Sequence, residues 1–258
     1  MKKKICFNLL LTFLVTTLFG QSWKPAAQDS ILKYRTSPLT IQVVDASDQP
    51  AENLSVQVKL IKHEFKWGST VDINEVSKIL GNKGTYNTNS PYLNHFRLFN
   101  SITPNNAGKW KGWNDASQRA TYLRTIDWLE SENIWNRGHT VVWESERFNA
   151  IPDVLLGQTD TAVVRNIVKS HINDIMSRLS DEIYEMDVVN ELVHEQHIVN
   201  GLLNVPDPAL EHSKWYKWAK QAAPNVDLIA NEFDLFQSGN NFYQRYIEYV
   251  EKMVADGA

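Results

Sequence analysis

The sequence has almost no cysteine and no strong excess of charge. Its only cysteine is Cys6, so the rest of the chain has no disulfide to stabilise it and depends on the size of its core. The formal net charge of −4 over 258 residues gives no electrostatic reason to expect nucleic acid or an anionic membrane surface as a partner. No strand candidate leads into a glycine-rich phosphate loop, which argues against a nucleotide-binding protein.

The N-terminus has the pattern of a targeting segment. Three consecutive lysines, residues 2–4, precede an apolar run from Ile5 to Phe19, which is typical of a secretory signal peptide and too short for a membrane span. Cys6 lies too early in this run to be a lipid-bearing cysteine at a cleavage point. We therefore predict a signal peptide over residues 1–20, a secreted or periplasmic protein, and no membrane association after the signal is removed.

Two short regions separate this segment from the main domain. Residues 21–37 are polar and aperiodic, which indicates a linker. In residues 38–62, apolar residues alternate with polar ones on both sides of a turn-forming stretch that contains Asp-Gln-Pro, and this pattern predicts a β-hairpin-like segment.

From residue 63 onward, strand candidates alternate with helical periods. The strand candidates are residues 65–71, 97–103, 137–143, 184–190 and 227–233. Between them, apolar residues recur at a helical period, and Asp115 and Asp160 stand where helix N-caps are needed. Alternation of this kind predicts an α/β fold with a parallel sheet. An open doubly wound sheet and part of a (β/α)8 barrel both fit, and periodicity alone does not choose between them.

Polar and aromatic residues gather where the strand candidates end. They are Asn106 and Lys109 after the second strand, His139 and Trp143 in the third, Asn190 and Glu191 at the end of the fourth, and Asn231 and Glu232 near the end of the fifth. The carboxyl ends of parallel strands meet at one edge, where ligands bind. Amides, charges and indole rings suit a ligand rich in hydroxyl groups. The histidines lack the spacing of a zinc motif, and we expect neither a metal nor a cofactor.

Each of these residues also has a simpler interpretation. The segment "DVVNE" is compatible with a strand that runs into a solvated loop, His139 and Trp143 with the core, and Lys109 with an exposed charge. Their joint placement at successive strand ends favours a binding site instead.

Four segments carry a resemblance to a known family. "FNSITPNNAGKW", "RGHTVVW", "MDVVNE" and "PNVDLIANEF" resemble, in order and approximate spacing, the family 10 glycoside hydrolases, which are endo-β-1,4-xylanases. "KWGSTV" resembles the first barrel strand of that family. The resemblance implies a (β/α)8 barrel over residues 63–258 and cleavage of internal bonds of xylan by a retaining double displacement. A polysaccharide, xylan or a related β-glycan, is the implied partner.

The resemblance also implies roles for individual residues. Glu191 matches the general acid/base, and Asn190 matches the asparagine that contacts the 2-hydroxyl at the cleavage point. The other matched positions bind sugar, Asn106 and Lys109 on the non-reducing side and His139 and Trp143 around the reacting ring.

The chain departs from the family pattern at several of these strand ends. Asn105 stands where the family has glutamate, Glu144 and Glu146 where it has histidine and glutamine, and Glu232-Phe233 where it has Asp-Tyr. These departures concern the choice of glycan more than the reaction.

The family's nucleophilic glutamate lies at the end of the seventh strand, whereas this sequence ends after the helix that follows the fifth. We therefore expect a barrel truncated after about the fifth βα unit, with the nucleophile beyond Ala258. We expect the chain alone to be inactive and poorly folded, with two unpaired sheet edges and an uncovered apolar face. Two alternatives remain open: a non-catalytic carbohydrate-binding fragment, and a barrel hydrolase of a related β-glycan. The sequence does not indicate an oligomeric state.

Overall fold

The computed structural model describes residues 23–51, 53–61, 63–80, 90–237 and 241–258. They belong to two compact units, Met1–Lys59 and Leu60–Ala258. The predicted signal peptide lies outside the described residues. Within the described ranges, no helix is both long enough and apolar enough to cross a membrane.

The first unit contains one helix and one short turn. Helix α1 (Trp23–Tyr34) buries none of its residues and occupies most of the region that we predicted as a linker. An isolated antiparallel bridge joins Val44 to Pro50. The turn between them is held by the Asp45 carboxylate, whose Oδ1 accepts hydrogen bonds from the backbone N–H groups of Ser47 and Gln49 at 2.8 and 3.0 Å. The described part of residues 38–62 thus carries this bridge where we expected a hairpin.

The second unit is a five-stranded parallel sheet with helices between the strands. Its strands are β1 (Gly68–Val71), β2 (Ser101–Pro104), β3 (Trp135–Trp143), β4 (Glu185–Asn190) and β5 (Asp227–Asn231). Its α-helices are α2 (Ile73–Ile79), α3 (Pro91–Phe96), α4 (Trp110–Asn114), α5 (Ala116–Ser131), α6 (Thr161–Leu179), α7 (Pro208–Ala222) and α8 (Phe242–Ala255). A 3-10 turn (Asp153–Leu155) precedes α6, and a π-helix (His197–Leu202) precedes α7.

The strand order selects the architecture. The five strands pair in the order of the sequence, β1-β2-β3-β4-β5, and every pair is parallel. A doubly wound sheet reverses its strand order at a switch point, whereas a (β/α)8 barrel adds each strand beside the previous one. The sheet therefore has the arrangement of the first five units of a (β/α)8 barrel, as the resemblance implied.

Two helices begin at the N-caps that the sequence predicted. The Asp115 carboxylate accepts hydrogen bonds from the backbone N–H groups of Ser117 and Gln118 at the start of α5. Asp160 does the same for Ala162 and Val163 at the start of α6. Side-chain caps of this kind satisfy N–H groups that have no partner within the helix.

The two faces of the sheet differ in polarity. Met186 and Val188 of β4 belong to the apolar core between sheet and helices. Because neighbouring side chains along a strand point to opposite faces, Glu185 and Asp187 lie on the other face, where Arg137 of β3 pairs with Asp187. That face is therefore polar along β3 and β4.

Candidate active site

Four candidate residues meet at the carboxyl ends of the last three strands. In the strand register, Trp143 of β3 lies beside Asn190 of β4, and Asn190 lies beside Asn231 of β5. Glu191 follows directly, and its backbone N–H donates to the carbonyl oxygen of Asn231 at 2.8 Å. The parallel pairing thus places the predicted acid/base beside the aromatic residue of the neighbouring strand.

The side chains of Trp143, Glu191 and Lys109 form one contact group. The indole Nε1–H of Trp143 donates to Oε2 of Glu191 at 2.9 Å. The ammonium nitrogen of Lys109 lies 4.4 Å from the centre of a Trp143 ring. On the loop after β3, Phe148 stacks on Trp143 with a centroid separation of 5.0 Å and an interplanar angle of 25°. Trp143 is only half-buried, so part of its side chain is open to solvent.

Burial and charge have opposite effects on Lys109. Desolvation lowers the pKa of the Lys109 ammonium, while the negative charge of Glu191 acts to raise it, and the net direction is downward. A partly buried cation held close to a carboxylate and an indole face is suited to binding hydroxyl groups of a neutral ligand.

Two of the candidate residues have left-handed backbone conformations. Glu191 has φ of 58° and Asn106 has φ of 53°, a region that residues with a side chain seldom occupy unless their surroundings enforce it. For Asn106 the enforcement is a tight turn, since its carbonyl oxygen accepts from the N–H of Lys109 at 3.0 Å. This turn joins Asn106 to the group through the backbone, and the Asn106 side chain is exposed.

His139 lies one layer deeper, bound to a buried carboxylate. Its Nδ1 is 2.8 Å from Oδ2 of Asp187, and because a carboxylate only accepts, Nδ1 carries the hydrogen. The other oxygen, Oδ1, accepts from Nε and Nη2 of Arg137 at 2.9 and 2.5 Å. Sequence reasoning did not select Arg137 or Asp187. The available signal was a charged residue inside each predicted strand, Arg137 at the start of the third and Asp187 within the fourth.

An amide pair continues this network to the rim of the sheet. Nδ2 of Asn231 donates to Oδ1 of Asn190 at 2.6 Å. Oδ1 of Asn231 accepts from Nη2 of Arg137 at 3.5 Å. Asn190 is 4% exposed. The predicted 2-hydroxyl clamp is therefore a buried amide whose oxygen is already engaged.

The departures from the family pattern fall into two kinds. Glu144 is fully buried and accepts from Nε2 of His212 at 2.5 Å and from the N–H of Val199 at 2.8 Å, so it serves the packing of the fold. Oδ1 of Asn105 accepts from the N–H of Ile73 at 3.4 Å, at the start of α2. Glu146, by contrast, is 76% exposed on the loop after β3.

Glu232 also serves the local structure. Its fully buried carboxylate accepts from the backbone N–H groups of Val193 and Phe233 and lies 2.8 Å from Nδ1 of His194. It therefore ties the loop after β4 to the loop after β5. Across the described parts of the chain, no cluster of three or more histidine, cysteine or acidic residues could hold a metal ion.

Comparison with known proteins gives a family for this arrangement. Residues 59–258 match the model of Glycosyl hydrolase family 10. Endo-1,4-beta-xylanase A of Caldicellulosiruptor sp. (strain Rt8B.4) is 28% identical over 183 residues, which are 61% of this chain and 24% of that protein. Endo-1,4-beta-xylanase 5 of Arabidopsis thaliana is 24% identical over 239 residues, which are 90% of this chain and 38% of that protein.

A solved structure agrees on the fold. A mutant of xylanase10C from Cellvibrio japonicus, in complex with xylopentaose, superposes with a TM-score of 0.58 at 18% identity, over 74% of this chain and 39% of that one. The chain thus spans less than half the length of each of these three proteins.

Proposed function

The chain belongs to glycosyl hydrolase family 10, and from that premise we propose that it supplies the acid/base side of the active site of a secreted endo-β-1,4-xylanase. The observation that carries the proposal is the hydrogen bond from Trp143 to Glu191, at the strand ends where a barrel binds its substrate. The substrate class is supported by the relatives, which are named as endo-1,4-β-xylanases, and by the xylopentaose bound to the xylanase 10C mutant.

Glu191 is the proposed proton donor and acceptor. In a retaining mechanism one carboxylic acid protonates the leaving oxygen, and as a carboxylate it then removes a proton from the attacking water. Because Oε2 of Glu191 already accepts from the Trp143 indole, the transferred proton belongs on Oε1. The same hydrogen bond fixes the direction in which that proton points. The second carboxylate, which attacks the sugar, is assigned to a barrel strand other than β1–β5.

The remaining candidates are proposed to position the sugar. The rings of Trp143 and Phe148 offer an apolar face, and Lys109 offers hydroxyl-directed donors beside it. His139 lines the reacting sugar, held by Asp187. Asn190 contacts the 2-hydroxyl, an interaction that strengthens as the ring flattens toward its oxocarbenium-like transition state. Asn106 contributes on the non-reducing side from the turn that also carries Lys109.

Replacement of Glu191 by alanine in the full-length protein tests the assignment. Acid assistance matters for a poor leaving group and little for a good one. We expect kcat/KM to fall by roughly 10²- to 10⁴-fold with a phenyl xylobioside. With a dinitrophenyl xylobioside, bond cleavage should survive and external azide should restore turnover of the intermediate.

Glu195→Ala is the matched control, because Glu195 lies on the same loop and pairs with Arg147 at 3.2 Å. It should leave the dependence on leaving group unchanged. Equal losses of Glu191→Ala on both substrates, without azide rescue, would remove Glu191 from the acid/base role.

The glycan itself is tested separately, because Asn105 replaces a residue that the family uses to bind sugar. Hydrolysis of xylan, mixed-linkage glucan and mannan by the full-length protein should be compared at equal mass concentration. We expect xylan to give the highest rate of reducing-sugar release. A higher rate on either other polymer would reassign the substrate to that β-glycan.

A further inference from the structure

Asn190 is the last member of a chain of hydrogen-bonded polar side chains. Asp187 accepts from Arg137, Arg137 donates to Oδ1 of Asn231, and Nδ2 of Asn231 donates to Oδ1 of Asn190. The four side chains come from three adjacent strands, β3, β4 and β5. Asp187 and Asn190 are both buried, so water does not readily substitute for a missing partner.

The guanidinium of Arg137 determines the direction of every hydrogen bond in this chain. A guanidinium has five N–H donors and no acceptor, so the atom of Asn231 that faces Arg137 is its amide oxygen. The amide nitrogen of Asn231 then faces Asn190 and requires an acceptor there, which is Oδ1 of Asn190. The NH₂ group of Asn190 is left to point away from Asn231.

We propose that Asn231 is a positioning residue that sets the orientation of the Asn190 amide, so that Asn190 presents its NH₂ group to the 2-hydroxyl of the reacting sugar. This inference rests on the role proposed above for Asn190. A sugar hydroxyl that accepts from this NH₂ group keeps its own hydrogen for another acceptor. In the opposite orientation the 2-hydroxyl has to donate its hydrogen to the Asn190 oxygen. The hydroxyl oxygen then no longer accepts a hydrogen bond from Asn190.

The substitution Asn231→Asp reverses this orientation. An aspartate carboxylate still accepts from Arg137 but has no hydrogen to donate, so Asn190 must turn its NH₂ group toward residue 231. The quantity to measure is the ratio of kcat/KM for an aryl xylobioside to kcat/KM for the analogue that lacks the 2-hydroxyl on the reacting sugar. Loss of one hydrogen bond corresponds to about a tenfold fall in this ratio.

Three further variants make the experiment specific. Asn190→Ala should lower the ratio by about tenfold as well, and Asn190→Ala combined with Asn231→Asp should lower it no further, because both changes remove the same interaction. Asn231→Ala adds no charge and frees the Asn190 amide, so it should lower the ratio about twofold, since half of the amides then face the wrong way.

Tyr246→Phe is the matched structural control. The Tyr246 hydroxyl donates to the carbonyl oxygen of Ala230 at 2.8 Å, directly beside Asn231 on the same strand. This variant should lower the thermal midpoint and leave the ratio unchanged. A merely structural role for Asn231 predicts that Asn231→Asp behaves in the same way.

The outcomes separate this inference from the proposed function. If the wild-type ratio falls with Asn190→Ala but both variants at position 231 keep the wild-type ratio, the positioning role is wrong and the function of Asn190 stands. If the wild-type protein does not distinguish the two substrates at all, the role of Asn190 fails and the positioning role fails with it. A fall at position 231 together with an unchanged ratio for Tyr246→Phe supports the inference.

Discussion

The indole N–H of Trp143 donates to Oε2 of Glu191 over 2.9 Å, although the two residues are 48 positions apart in the chain. The contact exists because β3 and β4 are parallel neighbours and both end at this point of the sheet. Trp143 therefore has two properties that substitutions can separate: an aromatic face for the sugar, and a hydrogen-bond donor for the proposed acid/base.

Trp143→Phe separates these two properties. Phenylalanine keeps an aromatic ring between Phe148 and Lys109 but cannot donate to Glu191. We expect kcat in the full-length protein to fall about five- to tenfold through loss of one hydrogen bond to a charged group, with little change in KM. Trp143→Ala removes the aromatic face as well and should raise KM in addition.

Kinetics at low temperature and thermal midpoints of both variants provide the check. Trp218→Phe is the control, since Trp218 is a half-buried tryptophan of α7 whose indole contacts Lys169. It should leave kcat and KM at their wild-type values. A Trp143→Ala protein that melts much earlier yet keeps normal kinetics in the cold would return Trp143 to a purely structural role.

Glu144 and Glu146 provide a matched test of stability. Glu144 is fully buried with His212 and Val199 as partners, and His212 in turn lies 2.7 Å from the hydroxyl of Tyr249. Glu144→Ala leaves the N–H of Val199 and Nε2 of His212 without an acceptor. We expect the free energy of unfolding to fall by about 3 kcal/mol.

Glu146→Ala removes an exposed carboxylate, 3.3 Å from His197, and should change the free energy of unfolding by less than about 0.5 kcal/mol. Urea unfolding of both variants measures the difference. Equal effects of the two substitutions would show that the Glu144–His212 pair does not stabilise the fold.

His171 should make stability depend on pH. Its Nε2 donates to the carbonyl oxygen of Val141 at 2.9 Å, and its ring stacks on Trp110 with a centroid separation of 4.0 Å. Burial lowers its pKa to about 4, below the unfolded value of about 6.5. Between these values the unfolded chain binds the additional proton, so stability rises with pH. The folded state should lose up to about 3 kcal/mol as pH falls from 6.5 toward 4.

His171→Gln keeps a donor for Val141 but does not titrate, and its unfolding free energy should change less with pH than that of the wild type. His95→Gln is the control, because the exposed His95 ring also contacts a backbone carbonyl, that of Pro91, at 2.9 Å. Unfolding measured at several pH values between 4 and 7 decides the point. Parallel wild-type and His171→Gln curves would exclude His171 as the source.

The sequence predicts what depends on local pattern. Asp115 and Asp160 are recognisable as N-caps because a capping aspartate acts within three residues of itself. Trp143 and Glu191 are recognisable because Trp143 ends an apolar strand and Glu191 directly follows the next one. The alternation of strands and helices is compatible with a doubly wound sheet and with a barrel. Only the order in which the strands pair in the structure distinguishes the two.

What the sequence does not predict depends on distant partners. In the sequence, Glu144 was interpreted as a change in the sugar-binding site. In the structure it is buried and hydrogen-bonded to His212, which lies 68 residues away in the chain. Asp187 and Arg137 are 50 residues apart, and their pairing follows from the β3–β4 register. Helix α1 lacks a buried face, so periodicity gave no signal for it, and its sequence was interpreted as a linker.

The sequential strand order has a consequence for synthesis. The first residues of β1 to β5 are separated by 33 to 50 positions, and each strand pairs with the one before it. At roughly 5–20 residues per second, a new strand is made every few seconds, whereas a ten-residue loop closes in about 10–100 ns and a β-hairpin forms in about 1–10 μs. Each strand is therefore made after the strand with which it pairs, so β1 to β5 can pair in the order in which they leave the ribosome or the export channel.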